Sequence, residues 1–190
     1  MSWISYLSPS EHRRFNEFVG LVLITVAVLV GLSLISFNPS DPSFNISRNP
    51  SFDVAPANLI GIVGSHASDL LFQAIGYAGF LLPIFLGIYA FHWLASCTVK
   101  NLLPRFAGML LMVSTIAAAL SLSQAVPRIG GQVPAGGGGG KLLADWLNAT
   151  FNPTGAIIVL ISTSLLALLL TTKFSLVQTP FQRAIEWRHL

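Results

Sequence analysis

Four apolar stretches decide what this chain can become. Residues 18–37, 70–94, 106–126 and 155–172 contain no Lys, Arg, Asp or Glu. A helix that crosses a bilayer needs roughly 20 predominantly apolar residues. In lipid the backbone must satisfy its own hydrogen bonds, so open segments of this kind are helical. The expected fold class is an all-α integral membrane protein with four transmembrane helices. Charged residues make up 9% of the 190 positions, far below the roughly 25% of soluble domains. The first stretch reads as a span and not as a cleaved signal, because its apolar core exceeds the usual ~7–15 residues and no A-x-A-like site follows it.

Lys and Arg predict the orientation. Arg13, Arg14, Lys100, Arg105, Lys173, Arg183 and Arg188 fall on one side of the four spans, and Arg48, Arg128 and Lys141 on the other. The positive-inside rule therefore places both termini in the cytoplasm. Residues 1–175 are expected to form the four-helix domain, and residues 176–190 a cytoplasmic juxtamembrane segment that begins a linker. Ser8-Pro9-Ser10-Glu11 reads as a capping box with a helix starting at Pro9. Thr179-Pro180-Phe181-Gln182 reads as a second one, and Asn152-Pro153 as a cap before the fourth span.

The first outer loop opens on the run Leu32–Phe44, LSLISFNPSDPSF. Pro39 and Pro42 each remove a backbone donor and disfavour helix at the preceding residue. Asn38, Ser40 and Asp41 carry side chains that bond locally to turn backbone. A turn is expected here, where the first span leaves the lipid. From Asn58 the pattern becomes helix-compatible, so a helix is expected to begin on the outer surface and run into the second span. The second outer loop holds five consecutive glycines, Gly136–Gly140. They predict a flexible link to a short interfacial helix over 141–149, anchored by Trp146 at headgroup level.

Few residues here could carry chemistry. A phosphate-loop reading of the glycine run fails, because G-x-x-x-x-G-K-[ST] would need Gly at Ala135 and Ser or Thr at Leu142. Asp69 and His66 are three residues apart and could be read as a proton or metal site; anchoring at the interface is the simpler expectation. His92 next to Trp93 reads as an interface position. The lone Cys97 excludes an internal disulfide and any cysteine-based metal cluster. Ser114, Thr115, Ser121, Ser123 and Ser162–Ser164 are expected to bond between helices, and Gly76, Gly79 and Pro83 to allow close packing and a kink. No catalytic residues, cofactor-binding residues or metal ligands are assigned, and the chain is not expected to be an enzyme.

The run Ser36-Phe37-Asn38-Pro39-Ser40-Asp41-Pro42-Ser43 resembles the S-[FY]-x-P-x-D-P-S sequence that follows the first span in the N-terminal four-span region of the FtsK/SpoIIIE DNA translocases. Asn58-x-x-Gly61, then Gly64 and Asp69-Leu70, are similar to that family's approach to its second span, although Ala67-Ser68 departs from the expected spacing of the small residue. Gly76, Pro83, the glycine-rich second outer loop and Pro153-x-Gly155-Ala156 extend the likeness over nearly the whole chain. The structural or contact motif it implies is Phe37, Asn38, Pro39, Ser40, Asp41, Pro42 and Ser43, with Asp69 and Gly155.

The resemblance implies a membrane-anchoring and assembly module of an FtsK-type translocase, acting in cell division and chromosome segregation. It implies a bacterial inner-membrane location at the division septum, membrane lipid and division-site membrane proteins as partners, and a homo-oligomer. ATP, Mg and DNA would belong to a downstream motor domain absent from these residues. The alternative is a small membrane transporter or channel subunit, suggested by the polar residues of spans two and three.

Overall fold

The computed structural model describes residues 9–44, 55–97, 102–123 and 125–172. The expectations for 176–190, including the Thr179–Gln182 capping box, lie outside the described residues. Within them the elements are α1 (Arg13–Ile35), α2 (Gly61–Ile75), a 3-10 segment (Gly76–Phe80), α3 (Leu81–Leu94), α4 (Leu102–Leu122) and α5 (Gly137–Thr171). Four continuous helical stretches are long and apolar enough to cross a membrane, the second formed by α2, the 3-10 segment and α3 together. The described residues contain no strand, only one isolated antiparallel bridge between Ile129 and Val133.

The start of α1 differs from expectation. Residues 9–12 are not helical, and the helix begins at Arg13 after His12. The cause is Asn16, which is completely buried. Its Oδ1 accepts from Ser10 N at 2.8 Å and from Ser10 Oγ at 3.0 Å, and its Nδ2 donates to Ser10 O at 2.7 Å. Ser10 is thus held outside the helix by a residue within it, so no helix runs from Pro9; Ser8, the expected cap, lies outside the described residues. The same Nδ2 reaches Ser96 Oγ at 3.2 Å, tying the start of α1 to the end of α3.

Small residues set the helix pairing. α1 packs chiefly on α3, and α4 on α5. Gly20 leaves room for Leu94, whose Cγ lies 2.6 Å from where a Cβ would stand. Gly108 does the same for Thr171, with Oγ1 at 2.6 Å. In the absence of a hydrophobic drive between helices in lipid, such close approach is what holds a bundle. The hydroxyls expected to bond between helices mostly do not. Ser114, Thr115 and Thr163 bond back to the carbonyls of Leu110, Leu111 and Val159 in their own helices, the usual local solution for Ser and Thr in apolar surroundings.

Two of the four stretches are not straight. Gly31 faces Pro83 across the α1–α3 seam. In a straight α2–α3 rod, Gly64 would lie about 28 Å further along than Pro83. Yet Ser33, only about 3 Å beyond Gly31, donates to Gly64 O at 2.6 Å. α2 therefore folds back across the end of α1. The break is at Gly76, whose φ of +60° strains any residue with a Cβ.

α5 repeats the device. Gly108 faces Thr171, and Gly140 faces Ala117 with the carbonyl 2.5 Å from a would-be Cβ. Along one straight helix Gly140 and Thr171 would be about 46 Å apart, against about 14 Å between Gly108 and Ala117. The bend is at Asn152, with φ 58° and ψ 167°. Pro153 supplies the reason, since proline disfavours helix at the residue before it. The structure has a bend at Asn152-Pro153, where a cap was expected, inside a helical stretch that begins at Gly137.

The expectation of a flexible glycine link is overturned. Gly137–Gly140 form the first turn of α5 and press against other backbone. Gly137 adopts φ +67°, and its would-be Cβ lies 2.6 Å from Gly76 N. Tyr77 N donates to Ala135 O at 2.8 Å. The C-terminal end of α2 thus meets the N-terminal end of α5, an arrangement that helix dipoles favour. The glycines are needed for close approach, because no side chain fits between these elements. The 141–149 helix is the continuation of this packed turn, with Ala144 and Leu147 buried and Leu142, Asp145 and Trp146 exposed.

Candidate functional site

The turn after α1 is built by its own side chains. Asn38 Oδ1 accepts from Ser40 N at 3.0 Å, and Asn38 O accepts from Asp41 N at 3.1 Å. This compact turn carries Asp41 inward, to 6% exposure. Asp41 Oδ1 then accepts from Ala57 N at 2.9 Å, and Oδ2 from Asn58 N at 2.8 Å. One carboxylate thereby fastens both ends of the first interhelical loop. Charge-assisted bonds of this kind are about twice as strong as neutral ones.

Asn58 extends the clasp, and reading the sequence for site residues missed it. Its Nδ2 donates to Ser33 O at 2.9 Å and to Ser36 O at 3.3 Å, carbonyls at the end of α1. Its Oδ1 accepts from Ile60 N at 3.0 Å. Gly64 must lack a side chain, because a Cβ there would collide with Asn58 Oδ1. Ser36 Oγ accepts from Leu59 N at 3.0 Å, and Ser65 Oγ donates to Pro42 O at 2.8 Å. The available signal was the Asn58-x-x-Gly61 spacing, which marks a turn but not a partner 17 residues upstream.

The rest of the predicted motif divides into an inner and an outer face. Phe37 packs edge-on against Phe72 at 4.9 Å between ring centroids. Leu34, Phe72 and Ile129 form one buried cluster with it, so the loop between α4 and α5 is locked onto the one between α1 and α2. Gly130 lies under Pro39, whose Cγ is 2.5 Å from a would-be Cβ. Pro42 and Ser43 are half-buried, while Pro39, Ser40 and Phe44 face outward. Phe44 is 80% exposed and its ring leans on His66 at 4.8 Å.

The two remaining predicted residues behave differently. Asp69, 7% exposed, lies on the buried face of α2 and accepts from Gln73 Nε2 at 2.7 Å. His66 Nδ1 is 2.9 Å from Ile62 O in its own helix, so Asp69 and His66 bond to separate partners. Gly155 takes no part in the clasp. It sits just after the α5 bend, where a Cβ would stand 2.9 Å from Phe151 Cβ.

The arrangement is suited to holding and presenting backbone. Both Asp41 oxygens accept from backbone N–H groups. Among the described residues no three His, Cys, Asp or Glu side chains converge as metal ligands.

Comparison with known proteins agrees with this picture. A family model described as the 4TM region of DNA translocase FtsK/SpoIIIE matches residues 12–184. The chain is similar to the DNA translocase FtsK of Rickettsia prowazekii, strain Madrid E, with 27% identity over 163 residues, covering 84% of this chain and 20% of the relative. It is also similar to the DNA translocase FtsK of Rickettsia bellii, strain RML369-C, at 30% over 166 residues, with 84% and 20% covered. For that of Azospirillum brasilense the figures are 30% over 122 residues, with 62% and 19% covered. The chain thus spans about a fifth of the length of these relatives. No solved structure matches it.

Proposed function

This chain belongs to the family of the four-transmembrane region of the DNA translocases FtsK/SpoIIIE, and we propose that it anchors and assembles such a translocase at the bacterial division septum. It is a multi-pass membrane protein related to the membrane part of the relatives and not to their motor. Its role in division and chromosome segregation is to hold a translocase in the inner membrane, with both termini cytoplasmic and the clasp on the outer face. The positive-inside bias of Arg and Lys supports that orientation. ATP, Mg and DNA enter only through a motor domain, and division proteins and further copies of the chain meet it in the membrane or at its outer face.

One observation carries the reading: the family motif is a built clasp, in which Asp41 secures the loop backbone while Pro39, Ser40 and Phe44 face outward. A buried structural half and an exposed contact half are what an assembly surface requires.

The test is a fluorescent fusion followed in dividing cells. The chain is expected to concentrate at the septum. Joint replacement of Pro39, Asp41 and Pro42 by Ala is expected to abolish that enrichment while membrane insertion persists. Phe44→Ala separates contact from folding, because Phe44 is exposed. Even distribution of the unaltered fusion around the cell would refute the proposal.

A further inference from the structure

The two helix pairs part company at the end of the molecule opposite the clasp. α3 packs on α1 and α4 on α5, whereas α3 and α4 meet through long side chains, Tyr89 edge-on to Phe106 at 5.8 Å between ring centroids. Between them lies a groove made of two adjoining cavities of about 290 and 360 Å³, both lined by Phe85, Tyr89, Phe106 and Met109. The inner cavity is wholly apolar in its lining and reaches Val113. The outer one opens between His92 and Arg105, beside Thr171.

Arg105 is the unusual member. It is half-buried at the first turn of α4. No acid pairs with it among the described residues, where the one ion pair is Arg13 with Glu17. A guanidinium drawn partly out of water calls for an anion. His92 also lines the mouth, its Nδ1–H donating to Ile88 O at 2.8 Å in its own helix.

We propose that this groove is a binding site for one anionic phospholipid, its phosphate held by Arg105 and one acyl chain lying between α3 and α4. The geometry matches the parts of a lipid in order. Arg105 stands at the end of a span, at the depth where headgroups lie. From Arg105 to Val113 the groove runs inward about 12 Å, lined by flexible and aromatic side chains that accommodate a hydrocarbon tail. The planar guanidinium fork suits phosphate in a way an ammonium does not. Basic pockets between spans recognise anionic headgroups by this chemistry. A partner helix seated here would have to bring its own carboxylate to Arg105, at a membrane cost that the lipid avoids. The proposal rests on the chain being embedded in a membrane and not on any role in division.

The test is retention of phospholipid by the purified chain, read by native mass spectrometry after graded delipidation. Reconstitution uses nanodiscs of phosphatidylglycerol or of phosphatidylcholine. The unaltered chain is expected to keep one phosphatidylglycerol in preference to phosphatidylcholine. Arg105→Gln should lower phosphatidylglycerol retention about tenfold and leave phosphatidylcholine unchanged. Met109→Trp, which fills the groove, should lower retention of both. Arg128→Gln, at an exposed arginine elsewhere, should change nothing. Arg105→Lys should fall between the parent and Arg105→Gln. Circular dichroism and size-exclusion profiles confirm that each variant is folded.

Undiminished phosphatidylglycerol retention in folded Arg105→Gln would overturn the proposal. An equal loss in Arg128→Gln would do so as well, by revealing bulk attraction. Capture of a second copy's helix by a photo-crosslinker at Met109, in place of lipid, would give the groove to a protein. Septal enrichment of the fusion is a separate readout, so failure of the division role and failure of the lipid site remain distinguishable.

Discussion

The clasp end and the groove end of this bundle solve opposite problems. At the clasp, Asp41, Asn58, Ser33, Ser36 and Ser65 join the end of α1, the first loop and the start of α2 by hydrogen bonds of 2.6–3.3 Å. At the other end the Asn16 knot ties α1 to α3, while α3 and α4 meet through side chains such as Tyr89 and Phe106 around a groove. Polar groups that leave water are stabilising only when each finds a partner. The clasp meets that condition with protein groups alone. Among the described residues the groove offers Arg105 no acid. One end is therefore rigid by construction, and the other has room for a ligand.

Substitutions can break this contrast, and we expect their effects to rank in order. Gly137→Ala should be the most damaging, at about 4 kcal/mol, because a Cβ meets the backbone of Ala74, Ile75 and Gly76 within 2.7 Å at a positive φ. Gly131→Ala is its control: φ is also positive, at +76°, but nothing lies within 4 Å, so about 1 kcal/mol is expected. Comparing their unfolding midpoints in detergent separates crowding from backbone strain. Equal losses would mean that the glycine run is not packed as described.

Asp41→Ala ranks next, at about 3 kcal/mol, because it strands two N–H groups in a site that is 6% exposed. Asp41→Asn keeps one acceptor and should lose about half of that. Asn58→Leu follows at about 2 kcal/mol, through loss of its bonds to Ser33 and Ser36. Limited proteolysis of the first loop provides a second measure, and all three variants should speed cleavage there.

Phe106→Ala should be the mildest, below about 1 kcal/mol. A buried Phe normally costs about 3–5 kcal/mol to truncate, but Phe106 is 42% exposed and lines an open groove. A loss as large as that of Asp41→Ala would show that the groove end is as tightly packed as the clasp.

Much of the site was legible in the chain. The turn residues Asn38, Pro39, Asp41 and Pro42 act locally, and local preferences are what a sequence displays. Asn152-Pro153 was legible for the same reason, since the bend is dictated by one peptide unit. Asn58 as the partner of Ser33 was not. Its bonds join residues 25 positions apart, and no local pattern specifies such a pairing. The glycine run misled for a related reason. Five glycines read as freedom when no neighbour is visible, yet beside Gly76 and Ala117 the missing side chains are what permit contact.

By itself the sequence determined the solvent and the element type. Charge-free apolar stretches of about 20 residues must satisfy their own backbone, so four helices in lipid follow from composition and length alone. Only the tertiary structure decided the path of those helices. α2 and the first part of α5 fold back at Gly76 and Asn152, so two stretches of 34 and 35 residues are not single rods. The physical reason is that hydrophobicity is much the same for a helix lying across a bundle end and one running through it. Which of the two forms is settled by where a Cβ is missing and by which distant carbonyl an Asn or Ser can reach.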